Sequence, residues 1–157
     1  MQLILLRHGK AEDHHADGDY GRRLVEKGIS QARRAARFLE SADRLPDVVL
    51  TSPRVRARET AEHFCEELGL ADPLHQPWLD CGINADAAWR ELQAFSEFER
   101  VMIVGHEPDF SSLVEWLLGC SGGAVEVKKG SLVGVEIFPP SRRARLLFAL
   151  PPKMIRG

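Results

Sequence analysis

The sequence predicts an α/β protein in three layers, with helices on both sides of a mixed, mostly parallel sheet. Three observations lead there. Short apolar runs alternate with longer segments of helical period through residue 119, and the last third reads as successive strands. The 157 residues, 44% hydrophobic and 28% charged, are enough for a real core and predict one domain over 1–157.

Each element has its own signal. Residues 2–6 form a buried strand. "EKGISQARRAARFLESA" carries Ile29, Ala32, Ala36 and Leu39 at the spacing of an inner helix face, and "DVVLTSP" is a second strand ending in a turn. "RVRARETAEHFCEELGL" is the second helix, with Ala57, Thr60, Ala61, Phe64 and Leu68 on one side and Gly69 at its end. "PWLDCGINAD" reads as loop and "AAWRELQAF" as a short third helix. "RVMIVGH" is a continuous apolar strand, covered on both faces. "EPDFSSLVEWLLG" starts a helix at Pro108 and Asp109 and stops it at Gly119. Strands are expected at "AVEVKKG", "SLVGVEIF" and "ARLLFAL".

Net charge is −2, so nothing global draws the chain to nucleic acid or to an anionic membrane. No apolar run approaches a membrane span or a signal-peptide core. Cys65, Cys81 and Cys120 are odd in number and lack a CxxC pair, which predicts reduced, mostly packed thiols and a cytoplasmic location.

The chemistry-bearing residues follow the strands. The first strand ends in Arg7-His8-Gly9, the second in Thr51-Ser52-Pro53 with Arg54, Arg56 and Arg58 beyond, the third in Gly105-His106-Glu107. In a parallel sheet these ends share one edge, where two imidazoles and two or more guanidiniums would bind a tetrahedral dianion. Taken singly, each histidine also reads as a structural residue, the arginines as a solvated face and the glycines as turn residues. On the residues alone both readings stand open. His14-His15 beside Asp13 and Asp17 reads as a polar loop near the pocket mouth rather than a metal site. His63 reads as an exposed helix residue, His75 as a loop residue, and Trp78, Trp89 and Trp116 as packing. "KKG" and "SRRAR" read as solvated strands and turns.

"LLRHGKAE" resembles the RHG signature of the histidine phosphatase superfamily, whose fold is phosphoglycerate mutase-like. "TSPRVRARETAE" resembles its second motif through Ser52, Arg56, Ala57, Thr60 and Ala61, and "VMIVGHEPDF" its third. "DYGRRLVEKGISQA" is similar to its Arg-x-Leu-x-x-x-Gly segment through Arg22, Leu24 and Gly28, with Arg23 where many relatives have proline. The closing "KKGSLVGVEIF…LLFALPP" looks like the end of the short SixA-like phosphohistidine phosphatases.

That resemblance implies His8 as a nucleophile that becomes phosphohistidine, with Arg7, Arg56 and His106 holding the phosphoryl oxygens. It implies Gly9 and Arg22 as substrate-binding residues, and no metal or other cofactor. Asp80 is the candidate general acid, followed by Glu107 and Asp109, although Asp109 reads equally as a helix N-cap. The short chain and ill-defined acid favour a phosphohistidine-bearing protein as substrate, because a phosphoramidate nitrogen leaves readily. A phosphomonoesterase for a small metabolite and a non-catalytic phosphoprotein-binding module are the alternatives.

Overall fold

The computed structural model describes residues 1–156. Ten regular elements follow one another: β1 (Gln2–Arg7), α1 (Glu26–Ser41), β2 (Val48–Thr51), α2 (Val55–Leu68), β3 (Leu74–His75), α3 (Ala85–Gln93), β4 (Arg100–Gly105), α4 (Asp109–Leu118), β5 (Leu132–Phe138) and β6 (Ser141–Leu150). The strands form one sheet in the order β3-β2-β4-β1-β5-β6. β1 to β4 pair in parallel, β5 runs antiparallel to β1, and β6 antiparallel to β5.

The side-chain alternation of a strand explains the three layers. Leu3 and Leu5 of β1 point to one face, where they join Ala88, Trp89 and Leu92 of α3 and Phe110, Leu113, Val114 and Leu117 of α4. Ile4 and Leu6 point to the other, with Ala35, Ala36 and Leu39 of α1 and Ala57, Ala61 and Phe64 of α2. A strand buried on both faces must be apolar at every buried position, as Leu3, Ile4, Leu5 and Leu6 of β1 and Val101, Met102, Ile103 and Val104 of β4 are.

Helices α2 and α4 stop at Gly69 and Gly119, whose φ of 63° and 72° lie in the left-handed region where a side chain would be strained. Helix α3 begins two residues before the segment the pattern selects, because Asn84 caps it by accepting the Ala87 amide at 2.8 Å.

Three expectations are corrected. Residues 124–130 are not a strand. The free edge of β1 is taken by β5, so the 124–130 segment crosses the C-terminal end of β1 instead, where the Gly130 amide donates to the carbonyls of Arg7 and His8, each at 3.1 Å. The thiols are unpaired as expected, but only Cys65 is buried; Cys81 and Cys120 are exposed. His75, read as loop, lies in the two-residue β3, which periodicity is too short to reveal. Among the described residues no helix is long and apolar enough to cross a membrane.

Candidate active site

The parallel strands β1, β2 and β4 deliver His8, Ser52 and His106 to one edge, each one residue past its strand or its ladder. The His8 amide donates to the Gly105 carbonyl at 3.0 Å and the Ser52 amide to the Val104 carbonyl at 3.0 Å. His8 and His106 are both nearly inaccessible, at 4% and 2% exposure, and their ring centres stand 5.3 Å apart.

The protonation pattern follows from the partners. Nδ1 of His8 lies 2.8 Å from the Gly9 carbonyl, which can only accept, so the ring proton sits on Nδ1 and Nε2 keeps its lone pair. Nε2 accepts a hydrogen bond from Nε of Arg56 at 3.3 Å. The Ser52 hydroxyl oxygen accepts the Arg54 amide at 3.2 Å and lies 2.8 Å from Nε2 of His106. The serine oxygen can accept a second hydrogen bond as well as donate one, so this contact is compatible with either neutral tautomer of His106. Nδ1 of His106 is buried with no partner among the described residues, as is Nε of Arg7. The site therefore holds the unprotonated Nε2 of His8, the His106 ring, the unspent Nε–H of Arg7 and the Arg56 guanidinium.

Thr60 explains why His8 and Arg56 stay in register. Its hydroxyl donates to the Arg56 carbonyl at 2.7 Å and accepts the Gly9 amide at 3.0 Å, tying the end of β1 to the first turns of α2. Gly9 is required by packing: a Cβ there would stand 2.6 Å from the Gly28 carbonyl oxygen, and one on Gly28 would stand 2.1 Å from that of Lys10. The two glycines let the loop after β1 press against the start of α1. Arg7 is anchored through Nη1, which donates to the Val127 carbonyl at 2.9 Å.

Asp19, which sequence reading passed over, lies at the centre of the arginines. Its carboxylate takes Arg22 at 2.8 Å, Arg54 at 2.6 Å and Arg56 at 3.2 Å, and its carbonyl accepts from Arg56 at 2.9 Å. The hydrogen bond from Arg22, with the charges of Arg56 and Arg54, lowers its carboxyl to about 2. Arg22 is thus spent on Asp19 and on the Glu12 carbonyl at 2.5 Å. Of the three arginines after β2, Arg54 and Arg56 reach the site, while Arg58 pairs with Glu62 on the same helix.

The three carboxyl candidates differ. Burial raises Asp80, but the hydrogen bonds from Arg54 at 2.5 Å and from the Cys81 amide at 2.7 Å outweigh it, leaving the group below the usual range and favouring the ionised form. Glu107 caps α4 by accepting the Ser111 amide at 2.7 Å. The N-cap expected of Asp109 is corrected: its carboxylate reaches across to the Gly82 amide at 2.9 Å, because the chain turns at Pro108 and leaves Glu107 over the open helix end. Burial pushes Asp109 up, and nearby Asp80 adds to this. Asp80, Cys81 and His106 also place one donor atom each within 4.8 Å of the others, the spacing at which a metal ion could be shared. His15 instead accepts the Asp17 amide at 3.1 Å, within a loop that also presents Asp13 and His14 beside Asp19 and Arg22.

Burial, reinforced by His106, Arg56 and Arg7, lowers His8 to about 3; burial with Arg56 and Arg54 lowers His106 to about 4. Both rings are neutral in the folded protein at pH 7. An unfolded imidazole protonates near 6.5, so the unfolded chain binds more protons between that value and 3 to 4. Stability is then complete above 6.5 and is lost as pH falls towards 4. Urea unfolding at pH 5 should show a loss of roughly 2 kcal/mol per ring relative to pH 7, and imidazole NMR should find both rings uncharged at pH 5.5. Rings that titrate near 6.5 in the folded protein would contradict this.

Comparison with known proteins places the chain and its fold. A family model described as the histidine phosphatase superfamily (branch 1) matches residues 3–80. An uncharacterised protein of Picosynechococcus sp. is 33% identical over 142 residues, covering 87% of this chain and 85% of that one. A 2,3-bisphosphoglycerate-dependent phosphoglycerate mutase of Leifsonia xyli is 40% identical over 108 residues, covering 67% of this chain but only 42% of the mutase. Among solved structures, the protein histidine phosphatase SixA complexed with tungstate superposes with a TM-score of 0.89 at 24% identity, over 98% of both chains. A putative alpha-ribazole-5'-P phosphatase from Escherichia coli superposes at 0.79 with 18% identity, again over 98% of both.

Proposed function

Because the chain belongs to the histidine phosphatase superfamily, we propose that it removes the phosphoryl group from phosphohistidine on a protein, through a covalent intermediate on His8. The observation that carries this reading is the tautomer imposed on His8. With its proton held by the Gly9 carbonyl, Nε2 presents a lone pair beside the Arg56 guanidinium.

The incoming phosphoryl group displaces the weak Arg56–His8 hydrogen bond. Nε2 attacks phosphorus as the P–N bond to the substrate imidazole breaks, and that imidazole leaves with its electron pair and takes up a proton from solvent, balanced by the proton that water releases in the second step. Arg56, Arg7 and the His106 ring supply the donors on which the negative oxygens rest during transfer. Ser52 is a positioning residue, since its hydroxyl holds the His106 ring through Nε2 at 2.8 Å. Water then attacks the phosphorylated His8, inorganic phosphate forms, and Nε2 recovers its lone pair.

The ionised state of Asp80 supports a phosphoramidate over an ester. An alkoxide leaving group needs a strong proton donor, whereas an imidazole does not. The raised Asp109 carboxyl favours a second reading, hydrolysis of a small phosphomonoester, with Asp109 rather than Asp80 as acid. Phosphate release with EDTA present separates the two. Release from a phosphohistidine-bearing protein should exceed that from p-nitrophenyl phosphate by roughly tenfold or more in kcat/KM. The reverse ranking would overturn the phosphohistidine reading and point to Asp109.

A further inference from the structure

Beside the catalytic edge lies an open groove lined by Arg7, Lys10, Lys27, Gln31, Lys128 and Lys129. Five of the six lining residues are cations and none is acidic, in a chain whose net charge is −2. We propose that this groove is a docking surface for acidic residues flanking the phosphohistidine of the protein substrate. The proposal rests on the phosphatase reading above.

The groove is built from three separate stretches of chain, and one side chain fastens them. Gln31 of α1 accepts the Lys10 amide through Oε1 at 2.9 Å and donates through Nε2 to the Lys129 carbonyl at 3.3 Å. Gly130 closes over it, with a notional Cβ 2.9 Å from the Gln31 carboxamide carbon, and its amide donates to the Arg7 and His8 carbonyls. The lysine-bearing loop is therefore pinned to the residue that presents the nucleophile. Arg7 belongs to both the groove and the phosphate site.

Gathering these cations costs stability in the free protein. Lys129 is the most enclosed of the lysines, and burial together with the charges of Arg7, Arg22 and Lys10 lowers its ammonium below the usual lysine value. The acidic groups nearby offset little: Glu126 stands 3.7 Å from Lys128 with both side chains exposed, and Asp13 and Glu107 act at longer range on Lys129 and Arg7. A partner's carboxylates would relieve that repulsion.

The residue types indicate a polypeptide rather than a second phosphate. The forked donors that grip one phosphate sit in the catalytic cage as arginines, whereas four of the five groove cations are lysines. Lysines are mobile point charges suited to several spaced carboxylates. Such a surface raises encounter rate and preference, and salt weakens it.

The test uses two phosphohistidine peptides, chemically phosphorylated on one histidine flanked by glutamates or by glutamines. The wild-type protein should turn over the glutamate peptide with a KM about tenfold lower at low salt. That preference should vanish in 0.5 M NaCl and in the surface variant Lys10→Ala/Lys27→Ala/Lys128→Ala. Equal KM values, or a preference that survives both salt and substitution, would overturn the docking surface while leaving the phosphatase reading intact. If neither peptide is dephosphorylated but p-nitrophenyl phosphate is, the phosphohistidine reading fails and this proposal falls with it.

Discussion

Replacing His8 by alanine should stop phosphate release from every substrate, with kcat falling on the order of 10⁴-fold or more. The other candidate nucleophiles at the catalytic edge are less available: burial pushes the Cys81 thiol up, away from its reactive thiolate form. His106 is the neighbouring imidazole, but it is buried and its Nε2 is engaged by the Ser52 hydroxyl at 2.8 Å. The guanidiniums cannot act as nucleophiles. The variant should retain the phosphate cage, because Arg7 is anchored on Val127 and Arg56 on Asp19, neither through the His8 side chain. Inorganic phosphate should therefore still bind, while rapid quenching of the wild type, but not of His8→Ala, should trap acid-labile phosphoenzyme. A variant with wild-type turnover would sink the nucleophile assignment. A variant that loses turnover and also unfolds would be distinguished by thermal melting.

Much of this site is legible in the sequence for a topological reason. Parallel strands whose central residues are continuously apolar must be covered on both faces, so the polar residues after their C-terminal ends converge on one edge whatever the intervening loops do. Arg7-His8, Ser52 and Gly105-His106 could be brought together from strand ends alone. What escaped was whatever depends on a loop's path. Asp19 lies in "DGDYGRR", a stretch with no period, yet its carboxylate joins three arginines from two segments. Glu59 looks like one more charge on α2, but it is nearly buried and accepts the Leu24 amide at 2.8 Å and Arg23 at 2.9 Å, fastening that same loop. The alternation in "AVEVKKG" suits a strand, and only the occupancy of the β1 edge by β5 excludes it. Side-chain pattern reports which face is buried; it does not report which edges are already paired.

Arg56→Ala should lower kcat on the order of 100- to 1,000-fold while leaving the nucleophile in place. Arg56 is 5% exposed and its Nε stands 3.3 Å from Nε2 of His8, so in the proposed mechanism it would meet the phosphoryl group as charge develops on its oxygens. In such a dry site a preformed cation is worth far more than in water, because nothing has to reorganise around the new charge. A second effect separates this role from simple structural support. Arg56 is one of the charges that keep both imidazoles neutral, so its loss should raise the pKa of His8 and of His106. Burial, the larger cause for both, persists, so the rise should be partial, and the acid limb of the rate profile should move towards neutrality without reaching 6.5. Arg56→Lys should restore the position of that limb better than it restores kcat, because an ammonium returns the charge but not the planar fork. If alanine and lysine variants both kept near-wild-type kcat, Arg56 would be reduced to an anchor for Asp19. If the rate fell while the pH profile stayed fixed, the charge would act on the phosphoryl group alone and the lowering of His8 would belong to burial.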